Sequence, residues 1–582
     1  MKNVLNLKKF TVILLSIAIL SIQSTGLFIN AQSSDESSND TYDYFTNSYT
    51  HLTDNNHVFK TVTYHELINL FESDGTYILL FGGSWCKNTQ AVISQINDVA
   101  KEYGITRIYN FDTKLDTNKL HIRDTNNVYS KLYVDLVNKY LPNIVTLYDK
   151  AVSNISYNDL DGNPVIANKL QVPFLFVYNK NNKDTNGNSA PIISSLEKML
   201  VWNDFLTNDA IDPVKVEAYK ALVRPVFDPI SKETSGKKIA SFDIFDSYDY
   251  YSKAFNAAAG TTIFTESDKE IVFKTVTYNE LTKILESDGK YVFLFGGAWC
   301  PNTRAVAKLI NLYAKKYNID TIYNFDTKLD GSSLHIRDTA NPYANLYVDL
   351  VNKHFPDIIT LYDKNDGKAS HNISYTDASG NVIVSSKLQV PYLFTYDKNN
   401  KDPQGVSTPI LGQLELMYTW ANIQPDYTNA AGETGKNYQT YTTGLDNLFT
   451  SFYAANLKTL AIDADAKDAL KDSYTQASYG VFKSSLDIAK GVILNLQAST
   501  LQIDEAYAGL NLAISNLIQI STVTDVNVSP LVSPTISSQL STESAGNPST
   551  GDVALLFPLI SIFIISLAGI ILLCEGSRRN KE

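Results

Sequence analysis

The chemistry available to this chain starts with two thiols. Of the three cysteines in its 582 residues, Cys574 lies in an apolar C-terminal run, which leaves Cys86 and Cys300. Each follows a tryptophan and a glycine pair, in Gly82-Gly83-Ser84-Trp85-Cys86 and Gly296-Gly297-Ala298-Trp299-Cys300. An apolar run precedes each motif and helical periodicity follows it. Both sulfurs are therefore expected at helix starts, where free backbone N–H groups and the helix dipole favour a thiolate. A thiolate so placed can exchange with an outside disulfide or be oxidised and capped. A dithiol enzyme needs a second cysteine three residues on, and that position holds Thr89 and Thr303. Three roles stay open for Cys86 and Cys300. They are nucleophiles without a Cys-x-x-Cys motif, or a bridged pair, which needs α-carbons within about 7 Å, or small apolar residues without reactivity.

Other reactive groups are few. His121-Ile122-Arg123-Asp124 returns as His335-Ile336-Arg337-Asp338. Arg123 and Arg337 would lower a thiol pKa if they fold toward it. A solvated loop or a helix-start ion pair is the plainer expectation. Neither histidine has a second His or Cys at ligand spacing, so no metal and no cofactor is expected. His65 is replaced by Asn279 in the second copy and receives no role. The net charge of −12 argues against nucleic acid as a partner.

The elements that must position the thiols are duplicated. One offset, 214 residues, carries residue 86 to 300, Val58–Tyr64 to Val272–Tyr278, and Tyr109–Asp116 to Tyr323–Asp330. A period this long means two whole domains. In each, a short strand leads to a capping box (Thr63 and Glu66) and a helix with Leu67, Leu70 and Phe71 on one face. A buried strand follows, Tyr77 to Phe81, then the thiol helix with Val92, Ile96, Val99 and Tyr103 spaced 4-3-4. A strand ends at Phe111 and a helix runs from about Tyr129 to Val137. Residues 141–170 read as an insertion. A strand follows Pro173 directly, and a helix near 194–206 closes the unit. The stretch from Phe242 to Tyr251 shows no clean period.

This order, with Trp85-Cys86 and Trp299-Cys300 at a strand-to-helix turn and Pro173 and Pro391 each before a strand, resembles the thioredoxin fold. It is similar to single-thiol members, including bacteriocin-transport accessory proteins. The resemblance implies that both prolines are cis and lie against the cysteines. It makes Trp85, Trp299, Thr89, Thr303, Pro173 and Pro391 the walls of a substrate groove. The strand before the motif lacks the buried acid that thioredoxins use for proton transfer.

The flanks place the domains at a cell surface. Residues 1–31, with Lys2, Lys8 and Lys9 before an apolar run, read as a signal peptide, and 32–44 as a flexible segment. Repeat one is expected over 45–210, a linker over 211–257, and repeat two over 258–425. Residues 437–520 carry helical stripes (Phe482, Leu486, Ala489, Ile493 and Ala506, Leu510, Ala513, Leu517) and resemble FIVAR modules, three-helix bundles used as spacers or glycan binders. A Ser/Thr/Pro-rich stalk spans 521–546. Residues 547–582 contain Pro548-Ser549-Thr550-Gly551, an uncharged run over 553–574 and a basic tail. That order resembles a sortase sorting signal, with Asn547 where leucine is usual. It implies that sortase attacks at Thr550, that Gly551 leaves, and that peptidoglycan of a Gram-positive wall is the acceptor. The expected class is α/β: two thioredoxin-like domains, an all-α bundle, a disordered stalk and a membrane-spanning tail. The expected function is surface display of two single-thiol domains acting on extracellular thiol proteins. The alternative is a non-catalytic platform that binds a surface ligand through its abundant tyrosines, 36 in all.

Overall fold

The computed structural model describes residues 41–234, 237–362, 368–402, 404–496 and 498–520. The signal peptide, the stalk and the sorting segment with Pro548, Thr550 and Gly551 lie outside the described residues. Among the described residues no helix is long and apolar enough to cross a membrane. The chain is α/β, with two mixed five-stranded sheets.

Repeat one runs α1 (Tyr44–Ser48), β1 (Phe59–Thr61), α2 (Tyr64–Phe71), β2 (Tyr77–Phe81), α3 (Lys87–Glu102), β3 (Ile108–Phe111), α4 (Ser130–Tyr140), β4 (Asn154–Asn158), β5 (Pro164–Asn168), β6 (Phe174–Tyr178), β7 (Ile192–Glu197) and α5 (Pro213–Phe227). Its sheet order is β1-β3-β2-β6-β7. The first three strands are parallel, and β6 and β7 pair antiparallel. β2 and β6 are central and buried at every position, which is why they read as unbroken apolar runs.

After α6 (Ser247–Ala259), repeat two follows the same plan. It has β8 (Phe273–Thr275), α7 (Tyr278–Glu286), β9 (Tyr291–Phe295), α8 (Pro301–Lys316), β10 (Ile322–Phe325), α9 (Ala344–His354), β11 (Asn372–Thr376), β12 (Val382–Ser386), β13 (Tyr392–Tyr396), β14 (Ile410–Leu414) and α10 (Lys436–Tyr453). Its sheet order is β8-β10-β9-β13-β14.

Several expectations need correction. The segment near 194–206 is not one α-helix, and only Trp202–Phe205 within it forms a short 3-10 helix. Its first half is β7, because pairing with the free edge of β6 outweighs local preference. The closing helix is α5, inside the stretch read as a linker, and it packs on α3 and β7. In repeat two that place is taken by α10, which packs on α8 and β14 rather than belonging to the bundle. Helices α11 (Ala455–Asp468), α12 (Gln476–Leu494) and α13 (Thr500–Ser515) share a separate apolar cluster with Phe482, Leu486, Ala506 and Leu510 at its centre. The insertion 141–170 is a β4–β5 hairpin held on α4, where Tyr133 Oη donates to the Asn168 carbonyl (2.7 Å). The end of the segment expected to be flexible is ordered. Tyr42 and Tyr44 are buried, and Asp43 caps α1.

The two repeats pack as reciprocal halves. Thr63 caps α2 by accepting from the Glu66 amide at 3.1 Å, as the sequence implies. The Glu66 side chain does not complete a capping box. It is buried and turns outward to the other repeat, where it accepts from Thr275 Oγ1 at 2.6 Å while holding Lys60 Nζ at 2.9 Å. Glu280 repeats this from the other side, accepting from Thr61 Oγ1 at 2.6 Å with Lys274 Nζ at 3.1 Å. Asn127 donates to Tyr343 Oη and Asn341 to Tyr129 Oη, at 2.8 and 2.7 Å. The arms before each repeat cross over. The Tyr42 amide donates to Tyr323 Oη, and the Phe245 amide to Tyr109 Oη. Two large apolar clusters each draw on both repeats.

Glu66→Ala is expected to destabilise the chain by about 3–5 kcal/mol, because it strands a buried ammonium and a cross-repeat hydroxyl together. Thr275→Val is expected to cost less, about 1–3 kcal/mol. Urea unfolding of both variants measures this. Equal stability of the wild type and Glu66→Ala would refute the role given to this contact.

Candidate functional site

Each thiol sits where β2 or β9 gives way to a helix. The glycine pair turns the chain, the Cys86 amide donates back to the Gly83 carbonyl (3.0 Å), and the Cys86 carbonyl accepts from Gln90 to start α3. Cys86 is the N-cap residue with φ −88° and ψ 114°, and Cys300 matches it at −85° and 117°. The helix-start expectation therefore holds in both copies.

The sulfurs are covered. Both cysteines are free thiols and each is 6% exposed. Cys86 Sγ lies 3.4 Å from the Val172 carbonyl oxygen, and Cys300 Sγ 3.3 Å from that of Val390. Those valines precede Pro173 and Pro391, and both Val–Pro bonds are cis. Each sulfur thus has its own proline loop as partner, and the two do not bridge. Thr89 and Thr303, at the resolving position, are fully buried against Gly82 and Gly296, with no partner for either hydroxyl among the described residues.

The loop carrying each proline is clamped. Glu197 on β7 accepts from the amides of Gln171 and Leu147, tying the loop to the inserted segment. Glu415 does the same with Gln389 and Leu361. The expectation of a solvated His-Ile-Arg-Asp loop fails. Ile122 and Ile336 are fully buried, and Arg337 is buried too. Arg123 and Arg337 each donate through Nη1 to the carbonyl of Leu170 or Leu388, just before the proline. Arg337 also interacts electrostatically with Cys300, and burial pushes its own pKa down. The arginines anchor the proline loop.

Trp85 and Trp299 are fixed from behind by acids that the sequence reading left without a role. Trp85 Nε1 donates to both Asp112 carboxyl oxygens, at 2.8 and 3.0 Å. Trp299 Nε1 donates to Asp326 Oδ1 at 2.8 Å. Lys114 and Lys328 lie over the indole faces at 4.2 and 4.5 Å. His121 and His335 meet the same rings edge-on. Burial, reinforced by the neighbouring arginine, pushes both histidines down to about 4, so they are neutral at pH 7. Gly83 and Gly297 are obligatory, since a Cβ at either would collide with the carboxylate. Burial raises Asp112 to about 7 and Asp326 to about 6, against the lowering effect of the indole bond. The only available signal for these acids was Tyr-Asn-Phe-Asp recurring unchanged in both copies.

Among the described residues, no group of three His, Cys, Asp or Glu side chains comes together to hold a metal ion. No protein-family model matches the chain, and no curated protein is significantly similar to it.

The raised carboxyls set a pH dependence. The folded chain holds protons on Asp112 and Asp326 more tightly than the unfolded chain does. Their contribution is therefore complete below about pH 4 and is lost as pH rises through 6 to 7. Asp112→Asn keeps an acceptor for Trp85 and removes the buried charge. It is expected to leave stability nearly unchanged at pH 4.5 and to raise it at pH 8, by on the order of 1–3 kcal/mol. Thermal unfolding at both pH values tests this, and a variant less stable at pH 8 would contradict it.

Proposed function

We propose that this chain is a surface-displayed protein in which two thioredoxin-like domains form a rigid, non-catalytic binding platform. The single observation that carries this is the covering of both sulfurs, 6% exposed and closed by a valine carbonyl, with a sealed threonine at each resolving position. A reactive cysteine needs both thiolate character and access, and here access is missing. The thioredoxin-like assignment is supported by the mixed sheet with its central β2–β6 pair, the Trp-Cys turn opening α3, and the cis-proline beside the sulfur. Export through residues 1–31 and sortase attachment at Pro548, Thr550 and Gly551 rest on the order of motifs in the sequence. Peptidoglycan is then the covalent acceptor. Helices α11–α13 serve as a spacer between the platform and the stalk.

Thiol chemistry is the second reading, and one observation favours it. Each cysteine is the N-cap residue of its helix, where free backbone amides and the helix dipole favour a thiolate. Extracellular thiol proteins would be the partners in that case.

Alkylation separates the two. On the platform reading, Cys86 and Cys300 react with iodoacetamide at least about tenfold more slowly in the native chain than in urea. Fast native labelling below pH 7, abolished in Cys86→Ser and Cys300→Ser, would transfer the function to the thiols.

A further inference from the structure

A cavity of about 410 Å³ opens in repeat two, between the His-Ile-Arg-Asp segment, the start of β11 and the chain that leads into the proline loop. His335, Arg337, Asp338, Thr339, Asn372 and Lys387 line it, and Cys300 does not.

The lining carries two cations and one carboxylate, a surplus of one positive charge. Arg337 gives Nη1 to the Leu388 carbonyl, and its Nε is sealed from solvent with no acceptor. Lys387 lies next to Leu388 in the chain and makes no ion pair and no side-chain hydrogen bond among the described residues. Burial, and then the guanidinium of Arg337, push its pKa down, as expected of an ammonium held without a close counter-charge. Asp338 is exposed to water and accepts from the Ala340 amide at 3.0 Å. Glu415 acts on Arg337 from outside the lining and spends its carboxylate on the Gln389 and Leu361 amides.

Repeat one keeps the same set. His121, Arg123, Asp124, Thr125, Asn154 and Lys169 occupy the equivalent positions. Arg123 Nε is again sealed without an acceptor. Thr125 Oγ1 accepts from the Ser156 amide as Thr339 Oγ1 does from the Ser374 amide. Lys169 has only the face of Tyr148, 5.7 Å away. The adjoining residues did not stay fixed, since Ala167-Asn168 before the first lysine stands as Ser385-Ser386 before the second. Within the fold, the arginine is explained by the proline loop it anchors and the threonine by the hairpin it holds. The lysine has no such task.

We propose that this cavity binds a small polar monocarboxylate, its carboxylate on Lys387 and Arg337 and its body against Thr339 and Asn372. One surplus charge suits a monoanion, and a lining of hydroxyl, amide and imidazole suits a body rich in hydrogen-bonding groups. The inference rests on the platform reading and deepens it by naming the class of ligand held. The two fail separately, because alkylation reports on the thiols and the titration below on a cavity that no thiol lines.

Two probes are titrated into the full chain by calorimetry. Glucuronate carries the carboxylate on a sugar, and glutamate acetylated at nitrogen and amidated at the α-carboxyl carries it as a peptide would. Saturable binding of two molecules per chain is expected for at least one probe, and the tighter of them names the source. Lys387→Met keeps the apolar stem and should weaken one site at least about tenfold. Lys169→Met/Lys387→Met should remove both sites, while Lys387→Arg should retain them. Glucose, which lacks the carboxylate, should not compete. Circular dichroism checks the fold of each variant. A single site that Lys387→Met removes would support the proposal for repeat two alone. Absence of saturable binding by either probe, equal binding of glucose, or binding undiminished in the double variant would overturn it.

Discussion

Two buried glutamates hold this molecule together. Glu66 and Glu280 each leave their own helix turn, take a lysine from the neighbouring strand, and accept a threonine hydroxyl from the opposite repeat. A carboxylate at that depth is tolerable only with its charge paired and its lone pairs used. Half of that satisfaction comes from the other copy. Neither repeat is therefore complete alone, and the crossed arms at Tyr42 and Phe245 extend the same dependence outward. Continuous apolar clusters running through both copies follow from it.

That joint frame decides how the thiols are presented. The helix start would favour a thiolate, but the proline loop lies on each sulfur and is itself clamped by Arg123 or Arg337 and by Glu197 or Glu415. The cover leaves each cysteine only 6% exposed, so access to the sulfur is restricted whatever the dipole does to its charge. Behind the turn, the indole N–H of each tryptophan is held by an aspartate carboxylate.

The same frame leaves a cleft between the repeats whose two ends differ. Where two copies of one chain would present identical ends, a duplicated chain is free to alter one position and compensate it in the other copy. His65 against Gly331, where a Cβ would strike its ring, with Asn279 and Thr117 at the equivalent positions of the other copies, is such an exchange. Fusion of the copies is what makes this asymmetry possible.

The sequence by itself determined the elements whose cause is local. The buried run of β2, the 4-3-4 stripe of α3, the Thr63 cap, and the cysteines at helix starts were all legible from spacing alone. So was the duplication, since it needs only self-comparison. Tertiary structure decided whatever depends on a distant partner. β7 is a strand because β6 offers it an edge, and α5 and α10 close their repeats because α3 and α8 offer them a face. Glu66 abandons its capping box for a threonine that lies 209 residues away in the chain. Asp112 and Asp326 became site residues only when the fold set tryptophan on one side of them and the second repeat on the other. Local periodicity records the neighbours a residue has along the chain, whereas burial, pairing and pKa are set by the neighbours it acquires across it.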